Sequence, residues 1–86
     1  MGQLKILYFA WVRERIGRDE ETLPRPPAGA TVAQLLDQLA ATSAGHAEAF
    51  ADRARLRAAL DQSFVPLDTP VGEARELAIF PPVTGG

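Results

Sequence analysis

Cysteine is absent from the 86-residue sequence and histidine occurs once. These absences exclude a disulfide scaffold, a zinc module, a thiol nucleophile and a redox dithiol, and leave too few donors for a usual transition-metal site. An excess of charge of one sign is also lacking: nine Lys and Arg stand against eleven Asp and Glu, a net charge of -2. That balance offers no field for nucleic acid or an anionic membrane. No apolar run approaches the ~20 residues of a membrane span, and the first residues lack a basic segment leading into an apolar stretch and a small-residue cleavage site. The expected location is the cytoplasm.

What is present reads as a folded domain. Apolar residues make up 47% and charged residues 23% of the chain, far from the low-hydrophobicity signature of disorder. The length suits one compact unit, expected over residues 1–80, with residues 81–86 as a flexible C-terminal tail. A core this small, with neither disulfide nor metal to support it, gains stability by associating with a partner, so a complex is expected.

The stretch from Gln3 to Trp11 reads as a strand with Leu4, Ile6, Tyr8 and Ala10 on one face and Lys5, Leu7, Phe9 and Trp11 on the other. Val12 to Ile16 fits a helical turn closed by Gly17, and Asp19 to Leu23 a polar returning edge strand. Pro24, Pro26, Pro27 and Gly29 mark a loop. Thr31-Val32-Ala33-Gln34 fits a capping box, and Val32, Leu35, Leu36 and Leu39 recur at helical spacing, with Gly45 placed to end the helix. From His46 to Leu60 propensity favours helix throughout. Phe64-Val65 is a short strand, and Glu76 to Phe80 alternates before stopping at Pro81-Pro82. The expected class is α+β: an opening hairpin, one main helix across a sheet, then short strands.

No constellation within the body of the chain supplies chemistry. His46 reads as a surface or capping residue, since no second His or Cys is there to build a site with it. Glu20-Glu21 reads as edge-strand charge that discourages strand addition. Arg53, Arg55 and Arg57, flanked by Asp52 and Asp61 with no interleaved aromatic, read as a solvated face. Glycine-rich phosphate loops, nucleophile elbows and carboxylate clusters at metal-binding spacing are missing.

The terminal residues are different. Two glycines in succession at a chain end arise by chance only about one time in two hundred. Here a stiff Pro81-Pro82 is followed by Val83-Thr84, which favour extension, and then by Gly85-Gly86, which have no side chain to obstruct a narrow channel. Six residues reach roughly 20 Å when extended, so such a tail suits insertion into another protein's active site. The reactive group is then the Gly86 carboxylate. Adenylation by ATP gives it a leaving group, and displacement by sulfur leaves a thiocarboxylate. Both anionic forms call for basic residues or backbone N–H groups in the receiving channel.

Leu4-Lys5-Ile6-Leu7-Tyr8-Phe9-Ala10 with Arg13-Glu14, the Thr31-initiated helix, and Phe80-Pro81-Pro82-Val83-Thr84-Gly85-Gly86 together resemble the MoaD/ThiS family of ubiquitin-like sulfur carriers, most closely its molybdopterin synthase small subunits. The resemblance covers nearly the whole chain. It implies a β-grasp fold, with Gly86 adenylated by a ubiquitin-activator-like enzyme at the expense of ATP and then thiocarboxylated, and no cofactor or metal held by the chain itself. It also implies a molybdopterin synthase large subunit as partner, into which Pro81, Pro82, Val83, Thr84, Gly85 and Gly86 insert. There sulfur passes to a cyclic pyranopterin monophosphate precursor in molybdenum cofactor biosynthesis, the partner supplying the catalytic residues.

The resemblance places a strand near Arg57 to Asp61, against helical propensity, and it places Phe9, Phe64 and Phe80 on the exposed sheet face that docks the partner. Parity agrees, since Phe9 alternates with Ile6 and Tyr8, and Phe80 with Leu77 and Ile79. The competing reading puts these aromatics in the core. Where the family commonly has Asn before Gln in the central turn, this chain has Asp61-Gln62, and Asp61 is assigned no role. Three further functions remain open: a carrier for thiamine or another thiolation pathway, a ubiquitin-like modifier attached through Gly86, and an interaction domain with an inert tail.

Overall fold

A computed structural model describes residues 2–82 of the chain. β1 (Gln3–Tyr8) buries Leu4, Ile6 and Tyr8 and turns the alternate residues outward. The strand stops at Tyr8 rather than continuing to Trp11, because Ala10 adopts φ 55 and Ala10 to Ile16 wind into α1. Gly17 closes this helix in the left-handed region at φ 90, its N–H donating to the Arg13 carbonyl, which suits a residue without Cβ. β2 (Glu20–Pro24) returns antiparallel to β1 as the expected edge strand.

α2 (Val32–Ala40) begins as the sequence predicts. Thr31 Oγ1 accepts from Gln34 N at 3.1 Å and Gln34 Oε1 accepts from Thr31 N at 3.0 Å, so two helix-end donors are satisfied reciprocally. Val32, Leu35, Leu36 and Leu39 form its buried stripe. The helix ends at Ala40, however, and Gly45 lies inside a further short helix, α3 (Ala44–Ala49). Gly45 serves close packing: a Cβ there would stand 2.6 Å from the Arg15 carbonyl oxygen.

Helix does not persist to Leu60. After a 3-10 turn at Arg53–Arg55 the chain enters β3 (Arg57–Leu60), then β4 (Ser63–Val65) and, after a loop, β5 (Glu76–Phe80). β3 pairs with both β4 and β5, and those ladders override the helical preference of Arg, Ala and Leu. Asp61 and Gln62 join β3 to β4 with φ of 49° and 72°, as a two-residue hairpin loop demands.

The sheet order is β2-β1-β5-β3-β4, with β1 and β5 parallel at its centre and the other pairs antiparallel. One face joins Leu4, Ile6, Tyr8, Ala58, Leu77 and Ile79 to α2, α3 and the connecting residues Phe50, Leu56 and Val71 in a single core. This is the α+β arrangement of a ubiquitin-like β-grasp fold. No helix among the described residues is long and apolar enough to cross a membrane.

Candidate functional site

Among the described residues no helix lies over the second face of the sheet. Register places Leu7 beside Ala78, Ala78 beside Ala59, and Ala59 beside Phe64, so small side chains form its floor. Phe9, Phe64 and Phe80 stand around that floor and, with Gln62 and Glu76 at the rim, enclose a concavity of about 650 Å³. Phe64 is 77% exposed and Phe9 46%, while Phe80 is half-buried with its ring centroid 5.3 Å from that of Phe64. Large aromatics left this open are unusual singly and more so as neighbours. The core reading of these residues is therefore set aside.

Leu7, Ala59 and Ala78 complete the face and were not singled out from the sequence. The signal for Leu7 and Ala78 was there in the parity they share with Phe9 and Phe80; for Ala59 propensity hid it, and only the resemblance, which placed a strand near Arg57 to Asp61, pointed to it.

β5 carries both Ala78 and Phe80 into this face and is flanked on both sides, so the chain leaves from the middle of the sheet. Phe9 N donates to the Ile79 carbonyl at 3.2 Å on the β1 side, and Phe80 still pairs with Arg57 on the β3 side, before Pro81 and Pro82, which have no N–H with which to extend a ladder. Both prolines are half-buried. The expected tail residues Val83, Thr84, Gly85 and Gly86 lie outside the described residues.

His46 is not on the surface. Only 6% exposed, it stands edge-on to Tyr8 and Phe50, and its Nε2 is 2.7 Å from Glu21 Oε2. Tyr8 Oη donates to the same oxygen at 2.6 Å, and Ser43 Oγ lies 2.6 Å from His46 Nδ1. A carboxylate only accepts, so Nε2 carries the proton towards Glu21. Glu21, read as edge charge, is thus also an internal acceptor. Burial tends to raise its carboxyl pKa, but the Tyr8 and His46 hydrogen bonds, with the charges of His46 and Arg18, outweigh burial and hold it below the ordinary value. Burial and then the bond to Glu21 push the Tyr8 hydroxyl well above its usual range. These groups fasten β1, β2 and α3 together inside the molecule.

The basic run is only partly a free face. Arg53 bonds the Phe50 carbonyl at 2.7 Å and Asp37 Oδ1 at 2.7 Å. Asp61 holds structure as well: its Oδ1 accepts from Arg75 N at 2.9 Å and Glu76 N at 3.0 Å, fixing the start of β5. Among the described residues there is no group of three His, Cys, Asp or Glu able to hold a metal.

Residues 6–86 match the model of the ThiS family. The chain is 41% identical over 83 residues to the molybdopterin synthase sulfur carrier subunit of Escherichia coli, covering 96% of this chain and 99% of that one. It is 37% identical over 83 residues to the subunit of the same name from Haemophilus influenzae, with the same coverage. It superposes with a TM-score of 0.70 and 26% identity on the crystal structure of SAMP1 from Haloferax volcanii, covering 99% of this chain and 100% of that one. A match through Gly86, with such identity over nearly the full length of these relatives, shows that this chain belongs to the ThiS family.

Proposed function

We propose that the chain is the sulfur carrier and small subunit of a molybdopterin synthase, and that Gly86 carries the sulfur. The observation that supports this most is the continuity of β5. One central strand supplies Ala78 and Phe80 to an open apolar face and leads directly into Pro81-Pro82 and the Val-Thr-Gly-Gly sequence. Docking that face fixes the point from which the tail enters a partner.

The chemistry follows from the carboxylate. A Gly86 oxygen attacks the α-phosphorus of ATP on a ubiquitin-activator-like enzyme and pyrophosphate leaves. Sulfide-level sulfur, as HS⁻, attacks the acyl carbon, AMP leaves with the C–O bonding pair, and loss of the remaining S–H proton gives the thiocarboxylate. In the large subunit the thiocarboxylate sulfur attacks a carbon of the cyclic pyranopterin monophosphate precursor and displaces the oxygen substituent there, and water then cleaves the acyl–sulfur bond, returning the carboxylate and leaving the sulfur on the precursor. Two such deliveries furnish the two sulfurs of the dithiolene. The body of this chain contributes docking and reach, and the large subunit contributes the catalytic groups. ATP is consumed by the activating enzyme and is not held here.

Intact-mass measurement after incubation with ATP, a sulfur source and the activating enzyme of the same cell tests this reading. The expected result is a gain equal to replacing one oxygen by sulfur, localised to Gly86. An unchanged mass, with the enzyme active on a known carrier, overturns it. The Gly85-Gly86 terminus also admits a second reading, attachment through Gly86 to lysines of other proteins; isopeptide conjugates in extracts that vanish when Gly86 is deleted would support that instead.

A further inference from the structure

The open face is not uniform along the strands. At the end where β5 runs out, Phe80 pairs with Arg57 across the ladder, and residues two apart on a strand share a face, so Arg57 lies on the same side as Ala59 and Phe80. Arg57 Nη1 donates to the Leu56 carbonyl at 2.9 Å and the Ala54 carbonyl at 3.3 Å. In the turn that leads into β3, Arg55 lies over the Trp11 ring with its Cζ 5.1 Å from the centroid, and Arg15 of α1 lies over the same ring at 5.3 Å. Arg15 faces Glu48 at 3.9 Å. Among the described residues, neither Arg55 nor Arg57 has a carboxylate within ion-pair distance, whereas Arg18 and Arg53 do.

Among the described residues these two side chains are held in place without a counter-ion. A ring face and backbone carbonyls restrict them, so little freedom is left to lose when an anion arrives, and a planar guanidinium fork matches a carboxylate. The chain as a whole carries a net charge of -2, which disfavours a polyanion as the occupant. The position disfavours a free small anion, because Arg57 borders the apolar concavity and would be covered with it. We propose that Arg55 and Arg57 form an electrostatic sector of the docking surface at the root of the tail, and that the protein receiving the tail presents carboxylates opposite them. This rests on the proposed function for the partner's identity. The apolar face then sets affinity, and the arginines steer the chain so that the tail end meets the channel first.

The test is stopped-flow association of the full chain with the molybdopterin synthase large subunit of the same cell, at low and at physiological salt. Wild type should associate faster at low salt. Joint Arg55→Gln and Arg57→Gln substitution should slow association by about tenfold at low salt and flatten the salt dependence, with dissociation little changed. Joint Arg55→Lys and Arg57→Lys substitution should keep most of the rate, since steering reads charge. Equal rates and equal salt slopes in wild type and the Gln variant would overturn the proposal while leaving the proposed function standing. Failure of the wild-type chain to bind the large subunit at all would overturn both.

Discussion

His46 Nε2 lies 2.7 Å from Glu21 Oε2, a bond that joins α3 to β2 across 25 positions of sequence. Because Tyr8 shares the same carboxylate oxygen, one side chain satisfies two buried donors. Protonating Glu21 weakens both bonds together.

The pH dependence of stability follows from that geometry. The Glu21 carboxyl is held below its ordinary value in the folded chain, so its stabilisation is fully present above the unfolded carboxylate pKa of about 4.3 and is lost as pH falls through the lower folded value. Tyr8 acts in the opposite direction. Its raised pKa gives stability that is present below about pH 10 and drains away as pH rises beyond it. Thermal unfolding across pH should show both limbs. Glu21→Gln should be less stable at neutral pH by about 1.5–3 kcal/mol, the worth of hydrogen bonds to a charged group, with a shallower acid limb. An acid limb as steep as wild type would remove Glu21 from this role.

Gly45→Ala offers a test with a sign. In an unhindered helix the change stabilises by roughly 0.5–1 kcal/mol. Here the added Cβ would meet the Arg15 carbonyl oxygen at 2.6 Å and Ile16 Cα at 3.3 Å, both backbone atoms of α1, so one helix must move. The expected outcome is a loss of about 1–3 kcal/mol, or a drop of at least ~4 °C in melting temperature for a domain of this size. A higher melting temperature would show that α1 and α3 separate freely.

Features whose cause is local in sequence were legible before the structure. The Thr31–Gln34 box needs only four consecutive residues, and the outward parity of Phe9 and Phe80 needs only the period of a strand. Features whose cause is a distant partner were not. Arg57-Ala58-Ala59-Leu60 contains good helix formers, so its own propensity hides the strand that the family resemblance placed there, and the ladders to Ser63–Val65 and Glu76–Phe80 are what form it. His46 looks exposed until Glu21, 25 positions away, is brought to its ring. Gly45 looks like a helix stop until the Arg15 backbone is laid against it. At the site, the aromatic rim could be read from the chain, while Arg57 as its charged border needed the pairing with Phe80.

Phe64→Asp separates docking from folding. The ring is 77% exposed and loses its contact with the Phe80 ring, worth about 0.5–1.5 kcal/mol, so the melting temperature should fall modestly. Affinity for the large subunit should fall at least about tenfold, as expected when a central aromatic anchor becomes a buried charge. Unchanged affinity in calorimetry would exclude Phe64 from the docking surface.

The β3–β4 turn can be improved, and that bears on the site because Gln62 also lines the concavity. Asp61 and Gln62 both sit at positive φ. Asp61 has a compensating role, since its Oδ1 accepts the Arg75 and Glu76 N–H groups; Gln62 makes no such bond among the described residues. Gln62→Gly should therefore relieve the left-handed conformation and raise stability by about 0.5–1 kcal/mol. Asp61→Ala, which keeps the strained backbone and orphans two donors, should cost about 1–3 kcal/mol. Denaturant unfolding of the two variants side by side checks the contrast. If both destabilise equally, the turn is held by the strands it joins and the side-chain bonds of Asp61 contribute little.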